Sequence, residues 1–264
     1  MAGKAYLVGA GPGAADLLTL RAVRALATCD LVLVDDLVGE GVLEHVGAQA
    51  RVVRVGKRCG GPSVPQSVTT RILVAAALRG ETVVRLKGGD PYLFGRGGEE
   101  AEALAEAGVP FEVVPGITAA LAAAATSGIP LTHRRLASSV AFASGHGADE
   151  RPVALDVSAH TLVLYMCQRT LPELAKQLLE SGRLPTTPVA LVLGATWAGQ
   201  SVYIGTLAEA AALAGRYAAP DAATPGLAIV GEVVSLAGTL YRLPRPALPL
   251  GALGHPSAQV SSCA

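Results

Sequence analysis

The chain has 264 residues, 51% of them hydrophobic, enough for one large or two small domains with a buried core. Lysine and arginine number 21, as do aspartate and glutamate, so no net field holds the chain against nucleic acid or an anionic membrane, and an anionic ligand must be met by local charge. The four cysteines form no C-x-x-C pair, no signal-peptide order opens the chain and no apolar run reaches membrane-spanning length, which argues against a zinc site, a disulfide framework and a membrane span and favours a reducing cytoplasm.

From residue 4 to 114 a unit of short apolar strand, turn and amphipathic helix recurs, the pattern of a parallel sheet covered on both faces. Strands are expected at 5–8, 31–34, 52–55, 82–86 and 111–114, with helices at 17–27, 38–46, 68–78 and 99–107. Right-handed crossovers put every loop that follows a strand on one edge, where open α/β sheets bind ligands.

The first such loop is Gly9-Ala10-Gly11-Pro12-Gly13, either a binding loop or a bare turn. As a dinucleotide fingerprint it fits poorly, because its third glycine comes one residue early and Pro12 lacks an amide. Asp35-Asp36, at the end of the second strand, keeps a nicotinamide-binding oxidoreductase open as an alternative, since a ribose-binding carboxylate stands there in that class. The loop at 86–100 is more specific. Gly88, Gly89, Gly95, Gly97 and Gly98 are more than a turn requires, and they expose main-chain groups in an uncharged arc that does not repel a sulfonium. Tyr92 and Phe94 weigh against the alternative of a loose surface loop.

After Pro115-Gly116, an alanine-rich helix is expected at 118–125, stopped by Ser127-Gly128 and Pro130. Strands then follow at 140–144, 162–166, 189–193, 200–204 and 227–230, with helices at 171–179 and 207–213. The short turn before residue 200 makes the second sheet mixed. The expected division is an N-terminal α/β domain over 1–116, a C-terminal one over 117–243 and a flexible Pro-, Gly- and Ser-rich tail over 244–264.

These loops, with Gly56-Lys57-Arg58, Pro115-Gly116-Ile117-Thr118, residues 128–134, Tyr165-Met166 and residues 231–234, closely resemble the tetrapyrrole (corrin/porphyrin) methylase family across 6–234. The resemblance implies the tetrapyrrole methylase fold, two α/β/α domains with the active site in the cleft between them, assembled as a homodimer. It also implies S-adenosylmethionine as co-substrate, S-adenosylhomocysteine as product and no metal. Its branch acting on uroporphyrinogen III methylates two pyrrole carbons, giving the precursor of sirohaem, cobalamin and haem d1. A methylase of a later corrin intermediate and a non-catalytic module that only binds S-adenosylmethionine remain as alternatives. The length leaves no room for the further dehydrogenase and chelatase or synthase domain of some relatives, so a methylase alone is expected.

Carried over by position, the cofactor contacts fall on Pro12, Gly88, Gly89, Asp90, Phe94, Thr118, Ala119, Met166, Ala195 and Gly226. Asp90 is suited to accept hydrogen bonds from a ribose or an ammonium, Thr118 stands at a helix start whose amides suit a carboxylate, and Met166 offers a polarisable apolar surface. A polycarboxylate substrate calls for cations, and the resemblance assigns Arg96 and Arg134 to it, with Lys57, Arg58 and Arg135 as further candidates. Methylation leaves a cationic pyrrole that must lose a proton. Asp35 and Glu99 are the candidate bases; the resemblance assigns the base to Asp35, which is otherwise a helix cap, and Glu99 otherwise orients Arg96 or caps the following helix. His133 and His146 have neither metal nor triad spacing, so a structural or substrate-orienting role is expected. Three departures stand out. Cys167 replaces a usual glycine beside the cofactor, where its thiol is expected to crowd or re-aim the ligand; 147–159 lacks the family's Asp-Trp segment; and Gly226 replaces an alanine, expected to be harmless.

Overall fold

The computed structural model describes residues 3–56, 64–147, 153, 155, 158–217 and 224–240. Lys57, Arg58, Cys59, Cys263 and the tail expected at 244–264 lie outside the described residues.

Short runs of branched apolar residues form a five-stranded parallel sheet from β1 (Lys4–Gly9), β2 (Leu31–Val34), β3 (Arg51–Arg54), β4 (Thr82–Lys87) and β5 (Phe111–Val114), in the order β3-β2-β4-β1-β5. Strand β2 is buried throughout because helices cover both faces, whereas β3, at the edge, is exposed. Helix α1 (Leu20–Thr28) packs Leu26 against Val8, Val32 and Val84 on one face. Helices α2 (Gln66–Leu78) and α3 (Gly97–Glu106) bring Leu73 and Leu104 to Leu7 and Leu33 on the other. Adjacent residues of β1 thus serve opposite cores, as the period of two demands.

Helix α4 (Ala119–Ser127) leads to a second sheet of β6 (Val140–Ser144), β7 (Thr161–Tyr165), β8 (Pro188–Leu193), β9 (Ser201–Thr206) and β10 (Gly226–Val230), ordered β6-β7-β10-β8-β9. Only β6 and β7 are parallel, so this sheet is mixed, as the short turn before β9 implies. Helix α4 covers one face through Ala120 and Ala123 against Val163 and Ile229. Helices α5 (Leu171–Glu180) and α6 (Ala210–Tyr217) cover the other through Leu174 and Leu213. A short helix α7 (Ala237–Leu240) ends the described chain.

Three expected helices differ. The segment at 38–46 is a 3-10 helix, Glu40–His45, not an α-helix. Gly39 and Gly41 weaken helix propensity there, and Gly39 cannot be replaced locally, because a Cβ on it would lie 2.0 Å from Gly13 O. The helix expected at 17–27 is broken: a 3-10 turn, Ala15–Leu17, stops before Thr19, whose hydroxyl accepts from Ala22 N at 3.2 Å and starts α1. The helix expected at 207–213 opens as a 3-10 turn, Leu207–Glu209, closed by a reciprocal cap between Thr206 and Glu209, and continues to Tyr217. Among the described residues no helix is long and apolar enough to cross a membrane, and no group of three metal-binding side chains occurs.

Candidate active site at the sheet edges

Three loops meet at the C-terminal ends of β1, β4 and β5. Gly11 N donates to Gly89 O at 3.2 Å and Gly89 N to Gly11 O at 2.7 Å. A Cβ on Gly116 would lie 2.2 Å from Gly89 O, and one on Gly9 2.5 Å from Gly116 N. These glycines let backbones touch, and Gly89's own amide and carbonyl are engaged by Gly11. Asp90 ties the junction together, Oδ2 accepting from Gly116 N at 3.0 Å and Oδ1 from Tyr92 N at 2.8 Å.

Beside this junction a cavity of about 320 Å³ opens between the two sheets, within the size range of small-molecule sites. The residues that sequence reasoning assigned to a cofactor all line it. Pro12, Gly88, Gly89, Asp90 and Phe94 come from the first half, and Thr118, Ala119, Met166, Ala195 and Gly226 from the second. Asp90 is the single Asp, Glu, Lys, Arg or His on its wall among the described residues. Thr118 precedes α4, but its hydroxyl lies 2.6 Å from Tyr165 OH instead of capping the helix; Tyr165 OH accepts from Ala120 N at 3.1 Å. Burial raises the Tyr165 hydroxyl above its ordinary range, which keeps it neutral. The Phe94 ring leans on Tyr165 with centroids 4.9 Å apart.

Backbone strain concentrates here. Among the described residues the non-glycine positions with positive φ are Phe94 (54°), Arg96 (57°), Met166 (52°) and Thr196 (72°). The first three line the cavities and Thr196 follows Ala195, and such conformations persist where surrounding structure enforces them. Cys167, expected to crowd the cofactor, does not face it: the thiol is wholly buried in the core of the second sheet, and burial pushes it up to about 12. The left-handed turn at Met166 aims the next side chain inward. At Gly226 a Cβ would come within 2.5 Å of Leu193 Cδ2, so Leu193 occupies the room an alanine methyl would need.

A second cavity, about 450 Å³, adjoins the first, and Leu37, Gly88 and Phe94 line both. Asp35, at the end of β2, and Arg96, before α3, line only the second. Its deep wall carries Arg85 and Lys87, alternate residues of β4 that share a face. Beneath them lies wholly buried Glu100, whose Oε1 accepts from Gln66 Nε2 at 2.7 Å, Arg85 Nε at 2.9 Å and Lys87 Nζ at 3.2 Å. Arg85 also reaches Asp35 Oδ2 at 3.5 Å. Sequence reasoning missed this group, although two cations inside an otherwise apolar buried strand require a counter-charge and so mark a site.

Arg96 grips Glu99 with two hydrogen bonds, 2.9 and 2.7 Å long. That pairing raises the guanidinium's pKa and holds the carboxyl below its usual range. Glu99 lines neither cavity, and neither does Arg134, which is exposed on the turn after α4 beside exposed Arg135. His133 shapes that turn through backbone bonds to Ala137, and His146 Nδ1 lies 3.0 Å from Gly147 O, both local roles away from the cavities.

A parallel sheet and a mixed sheet closing on two adjoining pockets, one largely apolar with Asp90 on its wall and the other carrying Arg85, Lys87 and Arg96 with Asp35, define a two-sheet α/β protein. The chain belongs to the Tetrapyrrole (Corrin/Porphyrin) Methylases, whose family model matches residues 4–211. A siroheme synthase of Yersinia enterocolitica is 49% identical over 238 residues, covering 89% of this chain and 49% of that protein. The chain therefore spans about half the length of the curated relatives it matches. Uroporphyrin-III-C-methyltransferase from Thermus thermophilus superposes with a TM-score of 0.78 at 44% identity, over 94% of this chain and 99% of that one. A structure of the Thermus thermophilus enzyme complexed with S-adenosylhomocysteine gives 0.76 at 41% identity, over 88% and 99%.

Proposed function

We propose that the chain is an S-adenosylmethionine-dependent methyltransferase that adds two methyl groups to pyrrole carbons of uroporphyrinogen III. One observation carries this reading: the adjoining pockets have opposite electrostatic character. Among the described residues, the first presents only Asp90 as a charge, which suits a cationic ligand, whereas the second presents Arg85, Lys87 and Arg96 against Asp35, which suits a polyanion. The relatives in siroheme synthesis and the enzyme complexed with S-adenosylhomocysteine support the same pair of ligands.

Bound in the first cavity, S-adenosylmethionine supplies an electrophilic methyl group. Asp90 and the backbone of Gly88 hold its polar edges, Met166 and Phe94 its apolar surface, and the start of α4 at Thr118 and Ala119 its carboxylate. The wall shared at Leu37, Gly88 and Phe94 is where the two ligands touch, and holding the pyrrole carbon there supplies most of the rate. Asp35, on the second cavity beside that wall, takes the proton released after methylation, while Arg96, oriented by Glu99, meets a substrate carboxylate. Arg134 reaches the same site only through a second subunit or a shift of its turn; the active form is a cytoplasmic homodimer, and sedimentation measures the dimer directly.

The test is incubation with labelled S-adenosylmethionine and enzymatically generated uroporphyrinogen III, followed by mass analysis of the tetrapyrrole. Two added methyl groups are the expected outcome. Binding of S-adenosylmethionine without any mass gain in the ring refutes the enzyme reading and leaves a binding module.

A further inference from the structure

Lys87 ends β4 with 2% of its surface exposed, yet it is among the residues that line the second cavity. Its ammonium makes one hydrogen bond among the described residues, to Glu100 Oε1 at 3.2 Å. That oxygen already serves Gln66 and Arg85, so the contact is one of three on a single acceptor. The neighbouring cations are better satisfied. Arg85 reaches Glu100 through Nε, Leu33 O at 3.3 Å and Leu86 O at 3.2 Å through one terminal nitrogen, and Asp35 through the other. Arg96 is held in bidentate fashion by Glu99. Of the three cations on this cavity among the described residues, Lys87 engages the smallest share of its N–H groups inside the fold, one of three, against four of five for buried Arg85.

An ammonium buried with unmade hydrogen bonds is costly, and Glu100 alone does not offset it while Arg85 adds like-charge repulsion. Burial first, and Arg85 next, hold the Lys87 pKa below the usual lysine range. A carboxylate arriving from the cavity supplies a further acceptor for the N–H groups that the shared Glu100 Oε1 leaves unengaged. Position agrees: Lys87 directly precedes Gly88, on the wall the two cavities share.

We propose that Lys87 binds a carboxylate of the tetrapyrrole, drawing one acidic arm to the deep wall of the second cavity and so fixing which pyrrole edge faces the methyl donor, with Glu100 and Arg85 positioning the ammonium. The assignment rests on the function proposed above. A lysine serving only as counter-ion to Glu100 has a different signature, because its loss lowers stability without changing recognition of the substrate.

The variants are Lys87→Gln and Lys87→Arg, assayed for methyl transfer over a range of uroporphyrinogen III at saturating S-adenosylmethionine, with S-adenosylhomocysteine affinity measured by calorimetry. Loss of one hydrogen bond to a charged group should raise KM for the tetrapyrrole about ten- to hundredfold in Lys87→Gln, with S-adenosylhomocysteine affinity unchanged and much of the KM restored in Lys87→Arg. If Lys87→Gln does not fold, the wild-type chain decides: uroporphyrin III should shield Lys87 from amine acylation mapped by mass spectrometry, and S-adenosylhomocysteine alone should not. A folded Lys87→Gln with unchanged KM, or acylation indifferent to uroporphyrin III, overturns the Lys87 assignment alone. A wild-type chain that methylates nothing overturns it together with the functional reading.

Discussion

Arg96 sits at φ 57° immediately before α3, a conformation that costs a side-chain-bearing residue of order 1–3 kcal/mol. Its exposed pair with Glu99 does not recover that cost, since such pairs contribute about 0–1 kcal/mol. The strain is explained if the guanidinium serves a ligand, and Arg96 lines the second cavity only. Arg96→Ala should therefore lower kcat/KM for uroporphyrinogen III by about ten- to hundredfold while S-adenosylhomocysteine affinity is retained. A parallel loss of S-adenosylhomocysteine binding in calorimetry would place Arg96 at the cofactor and refute the assignment. Its place on a cavity wall could be expected from the sequence because the glycine run around it is so specific. Lys87 and Glu100 were not, because a buried charge is recognised by its partners, and those come from separate elements.

At the scale of elements, every strand was placed to within two residues from its short apolar run; β2, parallel and buried throughout, has no polar side to disguise it, whereas exposed β3 shows only as Val52-Val53 between arginines. The helices around 17–27 and 38–46 were misread where a local feature outweighs periodicity: Thr19 caps from within the apolar pattern, and Gly39 is held to its backbone contact with Gly13. The glycine loops were located correctly and their purpose only in part. Much of their glycine content serves loop-on-loop contact, which depends on pairs such as Gly89 and Gly116 that sequence spacing does not connect. Gly116→Ala and Gly98→Ala separate the two kinds of glycine. The first drives a methyl group into Gly89 O and should cost about 1–3 kcal/mol in urea unfolding, with weakened S-adenosylhomocysteine binding. The second meets nothing within 4 Å in the first turn of α3 and should be neutral or stabilising by up to about 1 kcal/mol. Equal losses in both variants would contradict the close-packing account.

Across the whole molecule, both halves line the first cavity, and hydrogen bonds between them close beside it. Trp197 Nε1 donates to Pro12 O at 3.0 Å, and Ala14 N to Thr196 Oγ1 at 3.1 Å, joining the first glycine loop to the turn after β8. Gln200 braces that turn from within, accepting from Thr196 N at 3.0 Å and donating to Thr126 O at 3.3 Å on α4. Gly13 leaves the room, since a Cβ on it would lie 2.2 Å from Trp197 Nε1. Trp197 carried no signal in the sequence, being 185 residues from its partner and in no recognised motif. Pro12 and Ala195, on the two sides of this latch, both line the first cavity and neither lines the second. Loosening the latch should therefore be felt by the cofactor before the tetrapyrrole. Trp197→Phe keeps an aromatic ring but removes the indole N–H with its one neutral hydrogen bond and part of the ring volume, so it should weaken S-adenosylhomocysteine binding about two- to tenfold while KM for uroporphyrinogen III changes little. If the tetrapyrrole KM rises as much as the cofactor Kd, the two cavities do not respond separately, and the latch acts on the whole cleft.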